Sequence, residues 1–575
     1  MNKQEKIGIV GLTMTAGGAL LTRLKAVGVD YIFANSGTDF PPIIEGLSEA
    51  EAKKMDLPVA LIMPHENAAM GMAYGYFLGS GKAQAVIVHT NVGLANCTMG
   101  AINAATEHVP ILLFSGRTPT TEKDRFGTRT VPIGWGQEMR DQTALVREAS
   151  KWDYELRFPE QIHDMIDRAY AVANSTPKGP VYMSLPRETL CEPCPADGLD
   201  KPLSMQPALI QPPAVDLEKV AEILAKAKRP VIFAQRGAGT EAGFAALSRL
   251  AEEWAIPVVQ YWALKLAVPS DHSMAAGGDP EPWVSEADAI LVIDALAPWS
   301  PDIHQPRADC PIIHLGPNPL YSRFPVRNFR SDLSLTGETG ASLEALAATM
   351  DAYRDQAKTA IEDRRPLNTE RAATLRAQTL SNAKAGKDGV MTKEWVSLCL
   401  SEAIAGKKSS VLSELGCPLA PMSLKEHGTW YQEPHSGGLG WSFPTSLGLQ
   451  LSDPDRLVVA TMGDGSYVFA NPVACHQIAE ALDLPVLILV VNNAEWGAVR
   501  QSVVGTYPNG YAAKADAVPL TSLEPTPDFT QVAKASRAWT ASVEKGEDLP
   551  GVLKAAIEHI ETKRTHALIE IKVRP

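Results

Sequence analysis

Two turns near the end of the chain hold the side chains best suited to grip an ion. One is Gly463-Asp464-Gly465-Ser466; the other is Asn492-Asn493, continued by Ala494-Glu495-Trp496-Gly497-Ala498. One carboxylate, one amide oxygen and a nearby backbone carbonyl make a hard oxygen set of the kind that holds Mg²⁺ against phosphates. The plainer reading is a Gly-Asp turn and an Asn-Asn turn with no ligand. A third candidate is Glu66, in Pro64-His65-Glu66-Asn67-Ala68-Ala69. A carboxylate between an apolar run and an apolar helix is costly to desolvate and needs a partner. It serves equally as a cap for a helix starting near Asn67, where negative charge is favourable. His89 ends another apolar run and is either a titratable proton carrier or a structural histidine.

These side chains need a scaffold that brings distant segments to one edge. Residues 456–462 read as a buried parallel strand, 471–481 as a helix and 485–491 as a second strand that ends at Asn492-Asn493. In such a βαβ unit both strand ends open on the edge where ligands bind. Gly465 and Ser466 offer backbone N–H groups at a helix start, which suits a diphosphate. The first part of the chain repeats the alternation. A helix over 16–29 and a strand over 31–34 lead into Asn35-Ser36-Gly37-Thr38-Asp39, and a strand end at 61–66 precedes a helix over 67–77. A strand over 84–89, a loop at 90–93, a small-residue helix to Ala105 and a strand over 110–115 come next.

The fold class expected is α/β, with three parallel-sheet domains. The expected boundaries are 1–190, a proline-rich linker at 191–215, a middle domain at 216–345, a charged helical linker at 346–390 and a last domain at 391–575. Strands are expected in the middle domain at 230–234, 257–263, 289–295 and 311–316. Its Gly237-Ala238-Gly239 turn could hold a dinucleotide such as FAD but is too short to establish one.

The 575 residues exceed what one core can organise. A net charge of −13 without clustered Lys and Arg argues against nucleic acid. Seven scattered cysteines suit a cytoplasmic enzyme, and Cys191-Glu192-Pro193-Cys194 lacks the second pair a zinc site needs. The apolar stretch 7–21 has no signal-peptide cleavage site and reads as a lead-in plus the first helix. No run approaches the roughly 20 apolar residues that span a bilayer, so no membrane partner is expected.

The stretch from Gly463 to Gly497 resembles the thiamine diphosphate motif of the acetolactate synthase and 2-oxo acid decarboxylase superfamily. The resemblance implies thiamine diphosphate and Mg²⁺ as cofactors, with Asp464, Asn493 and the Glu495 carbonyl on the metal. It places Thr38, Gly438, Leu439, Gly463, Gly465, Ser466, Trp496, Gly497 and Ala498 around the cofactor. Leu439, between Gly438 and Gly440, stands where the family puts a large apolar side chain under the bent cofactor; by itself it reads equally as a leucine in a buried turn. Pro64 to Ala69 resembles the family's catalytic glutamate segment. The resemblance implies that Glu66 bonds the aminopyrimidine N1′ and favours the imino tautomer, whose nitrogen takes the proton from thiazolium C2.

The product formed after decarboxylation depends on the next partner of the enamine: a proton gives an aldehyde, a second carbonyl gives a ligated product. His89 resembles the active-site histidine of benzoylformate decarboxylase. Gln137-Glu138, followed by Asp141, resembles a segment of acetolactate synthases whose glutamine faces the cofactor. The acceptor-selecting tryptophan of biosynthetic acetolactate synthases is missing at Ser502. The His-His pair of pyruvate decarboxylases is missing from the first domain, and their glutamate from Val499. The resemblance therefore implies an acetolactate synthase-like enzyme acting on a 2-oxo acid, a homodimer at minimum with a homotetramer expected. The alternatives are a 2-hydroxyacyl-CoA lyase and a non-catalytic cofactor-binding subunit.

Overall fold

The computed structural model describes residues 13–574. The start of the apolar lead-in, residues 7–12, lies outside them. The first helix runs over Ala16–Ala26, and the Thr15 hydroxyl caps it by accepting the Gly18 N–H at 3.1 Å. Most of its residues are buried, including Arg23, which pairs with buried Asp167 at 2.5 Å.

By its contacts the chain divides into two compact units. One runs through Ala208 and includes Pro434–Asp453; the other comprises Leu209–Glu433 and Pro454 onward. The strands of the first unit are β1 (Thr13–Thr15), β2 (Tyr31–Asn35), β3 (Val59–Ile62), β4 (Gln84–Val88), β5 (Ile111–Arg117), β6 (Asp153–Glu155), β7 (Val181–Pro186) and β8 (Pro193–Pro195). Six of them form one parallel sheet in the order β3-β2-β4-β5-β7-β6. β4 and most of β5 and β7 are buried apolar runs, as expected of parallel strands covered on both faces. Asn35 lies opposite Val88, so the loop after β2 and His89 after β4 leave the sheet at the same edge. The start of the expected linker is ordered, because β8 pairs antiparallel with β1.

The segment 434–453, part of the expected last domain, makes its contacts with this first unit. Its helix Ser442–Ser452 lies against the helix Glu66–Ser80 through a face of glycines. A Cβ on Gly75 would sit 1.9 Å from the Thr445 carbonyl oxygen, and one on Gly448 would sit 2.0 Å from that of Met72. The small residues in both helices let the backbones touch. Residues 90–93 are also not the expected loop; they open the helix Thr90–Thr106.

The second unit carries two more parallel sheets. β9 (Pro230–Ala234), β10 (Val258–Val259), β11 (Ala289–Ile293), β12 (Ile312–Gly316) and β13 (Leu333–Thr336) run in the order β10-β9-β11-β12-β13. β14 (Ser409–Glu414), β15 (Trp430–Gln432), β16 (Leu457–Gly463), β17 (Leu487–Asn492), β18 (Trp539–Val543) and β19 (Ala567–Lys572) run in the order β15-β14-β16-β17-β19-β18. One apolar core extends from β9 to β19, so the two sheets share an interior. The charged helical linker expected over 346–390 falls on the end of one helix, Thr339–Met350, and on a second, Arg354–Ala385. Arg364 of the second is buried and donates to the carbonyls of Trp254 and Ala227, which ties this helix to the ends of two helices beside the middle sheet. Three parallel-sheet α/β domains are thus present, as expected.

Candidate active site

In the first unit the edge beyond β2, β3 and β4 gathers a polar constellation. Glu66 is the first residue of its helix, and the cap is His65, whose Nδ1 accepts the Asn67 N–H at 3.1 Å. The Glu66 side chain is buried, and Asn96 donates to its Oε2 at 3.0 Å. A Cβ on Gly93 would lie 3.1 Å from Oε1, so glycine at that position gives the carboxylate room beside the next helix. His89 stands at the end of β4. Its Nδ1 is 2.5 Å from Asp39 Oδ1 and its Nε2 is 2.8 Å from the Gln137 amide nitrogen. The Asp39 hydrogen bond raises the imidazole above its ordinary pKa, burial pulls the other way, and the charges of Asp39 and Glu66 add to the rise.

Gly438 and Leu439 sit on a loop bent by Gly437 and Gly440, whose φ values of 67° and 80° only glycine adopts easily. Asn103 donates to the Gly438 carbonyl at 3.1 Å, and Asn67 donates to that of Gly440 at 3.3 Å. Leu439 is half-buried between the two bends. Thr38 is exposed, and its carbonyl accepts from Arg187 at 3.2 Å.

In the second unit, Asp464 begins a short helix directly after β16, and Asn493 comes directly after β17, the neighbouring strand. Asp464 is buried, and burial raises its carboxyl above the ordinary range. Its Oδ2 has no hydrogen-bond partner among the described residues. One end of the Asn493 amide lies 3.0 Å from the Glu495 carbonyl oxygen and 3.2 Å from Asp464 Oδ1. With its nitrogen turned that way the amide donates to both. With its oxygen turned that way three oxygens converge, the arrangement a hard cation needs. Glycine at 465 lets the Trp496 ring pack onto the helix start, since a Cβ there would lie 2.3 Å from it. Ser466 is buried, whereas Gly497 and exposed Ala498 begin a helix with no buried residue.

Three descriptions of known domains match the chain in order. They are the thiamine pyrophosphate enzyme N-terminal TPP binding domain at residues 14–145, the central domain at 217–346 and the C-terminal TPP binding domain at 416–571. The chain belongs to the thiamine pyrophosphate enzyme family. A probable 2-ketoarginine decarboxylase of Pseudomonas aeruginosa is 28% identical over 554 residues, covering 93% of this chain and 90% of that protein. A probable acetolactate synthase large subunit of Methanocaldococcus jannaschii is 24% identical over 579 residues, covering 95% and 90%. In fold, the chain is similar to a 4-hydroxybenzoylformate decarboxylase of Rhodococcus jostii, with a TM-score of 0.75, 21% identity and 98% and 99% coverage.

The residues of this thiamine pyrophosphate enzyme fit a metal-bound diphosphate. The buried, unpartnered oxygen of Asp464, the Glu495 carbonyl and the Asn493 amide, once its oxygen is turned toward them, suit a divalent cation. Asp39, Asn96 and Asn103, which organise the first constellation, are not among the site residues expected from the sequence. Nor is Lys393, whose ammonium donates to the Leu415 carbonyl at 2.7 Å and whose pKa burial lowers. Glu433 was missed too: burial, with the charge of Glu414, pushes its carboxyl up to about 7. The only sequence signal for Asp39 was position, since it ends the loop beyond the strand that neighbours β4.

Proposed function

We propose that this chain is a thiamine diphosphate- and Mg²⁺-dependent enzyme that decarboxylates a 2-oxo acid and releases the corresponding aldehyde. The observation that carries the reading is a buried carboxylate, Glu66, on the same sheet edge as a protonatable imidazole, His89, held by Asp39. Thiamine diphosphate, when bound, supplies the electron sink that a 2-oxo acid needs in order to lose CO₂.

The chain's own residues do the rest. Asp464, Asn493 and the Glu495 carbonyl would hold Mg²⁺, and the N–H groups of Gly465 and Ser466 would face the diphosphate. Glu66, kept in place by Asn96, would hold a proton at the aminopyrimidine ring. Leu439, fixed by the glycines around it, would set the shape of the cofactor pocket. His89 would deliver a proton to the substrate carbon left by CO₂, which ends the reaction as an aldehyde.

The test is a panel of 2-oxo acids that includes 2-ketoarginine, pyruvate and benzoylformate. CO₂ release is measured and aldehyde is separated from ligated products. Glu66→Ala should lower turnover at least ~100-fold, the typical worth of a placed acid or base, while thiamine diphosphate still binds. A variant that keeps full rate on every accepted substrate removes Glu66 from this role. Ligated product without aldehyde from the native enzyme would make it a carboligase.

A further inference from the structure

The carboxylate on His89 is built into the fold rather than lying beside it by chance. Asp39 is buried, and its two oxygens are both engaged: Oδ1 meets His89 Nδ1 at 2.5 Å, and Oδ2 accepts the Thr90 N–H at 3.2 Å. The space for that carboxylate exists because residue 116 is glycine, since a Cβ there would lie 1.5 Å from Oδ2. The ring in turn packs on Gly37, where a Cβ would lie 2.2 Å from Nδ1. Thr90, a β-branched residue, is held at a φ of +35°, a strained conformation that persists only where the surroundings over-determine it. Two glycines and one strained threonine thus serve a single Asp–His contact.

The other ring nitrogen has its own partner. With Asp39 accepting from Nδ1–H, the neutral ring leaves Nε2 as an acceptor for the Gln137 amide N–H₂, 2.8 Å away. A protonated ring carries N–H on both nitrogens, and the glutamine then has to present its oxygen instead. Asp39 stabilises the charged ring, and Gln137 accommodates either form by turning its amide over.

We propose that Asp39 is the positioning residue of an Asp39–His89–Gln137 relay. Asp39 keeps a proton on Nδ1, so the proton exchanged with the substrate is carried on Nε2, and the Gln137 amide turns over as that proton leaves and returns. The inference deepens the decarboxylase reading and rests on it only for the destination of the proton. The balance is simple: Nε2 gives its proton to the carbon that lost CO₂, and solvent restores it. The charged groups that bear on the ring are Asp39 from the loop after β2 and Glu66 from the helix after β3; Gln137 is neutral.

The experiment is NMR of the full-length, cofactor-free protein carrying ¹³C- and ¹⁵N-labelled histidine, with the His89 signal assigned by its loss in His89→Gln. Above its titration midpoint, His89 should be the Nδ1–H tautomer. Its midpoint should lie above ~6.5, the ordinary imidazole value. Asp39→Asn should lower that midpoint by about one unit or more, since a carboxylate neighbour typically shifts a pKa by ~1–3 units. Gly116→Ala should do the same by displacing the carboxylate while leaving Asp39 and His89 in the chain. An Nε2–H tautomer in the native protein overturns the relay. So does an unmoved midpoint in either variant that keeps the native melting temperature. In the loaded enzyme, the pH dependence of kcat should move with the NMR midpoint. If the NMR results hold but no 2-oxo acid is decarboxylated, the relay stands and the substrate assignment falls.

Discussion

Asp464 illustrates a conflict between stability and binding at a single residue. Its carboxyl is raised by burial, and one of its oxygens accepts nothing within the described chain, a situation that typically costs about 1–3 kcal/mol. Asp464→Asn should therefore stabilise the cofactor-free protein by on the order of 1 kcal/mol in denaturant unfolding. It should also weaken Mg²⁺-dependent thiamine diphosphate binding at least tenfold by titration; a stabilised variant that binds as tightly as the native protein would remove Asp464 from the metal. Glu433 makes a second prediction. Its folded pKa of about 7 stands above the ordinary 4.5. Between these values the native state keeps a proton that the unfolded chain has lost, so stability is full below pH ~4.5 and falls as pH rises toward 7. The loss is on the order of 3 kcal/mol, and Glu433→Gln should flatten the slope of unfolding free energy against pH across that window.

Among the elements, the pairing of the helices Glu66–Ser80 and Ser442–Ser452 holds the Glu66 segment to the Gly438–Leu439 loop. Gly75→Ala would drive a methyl into the Thr445 carbonyl, and overpacking of this kind costs about 1–3 kcal/mol. Gly551→Ala is the contrasting case. Gly551 lies in the exposed face of the helix Leu549–Lys563 with nothing near its Cβ, so alanine should stabilise by up to about 1 kcal/mol. Chemical denaturation of both variants checks the pair, and equal effects would mean that the helix contact carries no strain. The helical start at residues 90–93 has a related cause. Thr, Asn, Val and Gly are poor helix formers, but tertiary demands prevail: Thr90 turns its N–H to Asp39, and Gly93 admits Glu66.

For the whole molecule, binding and folding are linked. A ligand that binds only the native state at about 100 times its Kd adds ~2.7 kcal/mol. Thiamine diphosphate with Mg²⁺ should therefore raise the melting temperature, and a chelator should abolish the rise. No shift at saturating cofactor would contradict the proposed metal site. No described helix is long and apolar enough to cross a membrane.

Fold class was legible because β4, β16 and β17 are short buried apolar runs between helices, and a parallel strand covered on both faces needs such a run. Asp464 and Asn493 were legible as candidates because each stands just beyond such a strand, whereas Glu66 was legible from its place ahead of an apolar helix, since β3 before it is an exposed edge strand. The Asp39–His89 pair was not, since residues on neighbouring strands meet only once strand order is known, and β2 lies next to β4 although β3 separates them in the chain. The placement of residues 434–453 likewise depended on two glycine faces fitting each other, a matter of shape across space that composition along one segment does not record. Local pattern determined which segments fold as strand or helix; packing decided which side chains share a proton.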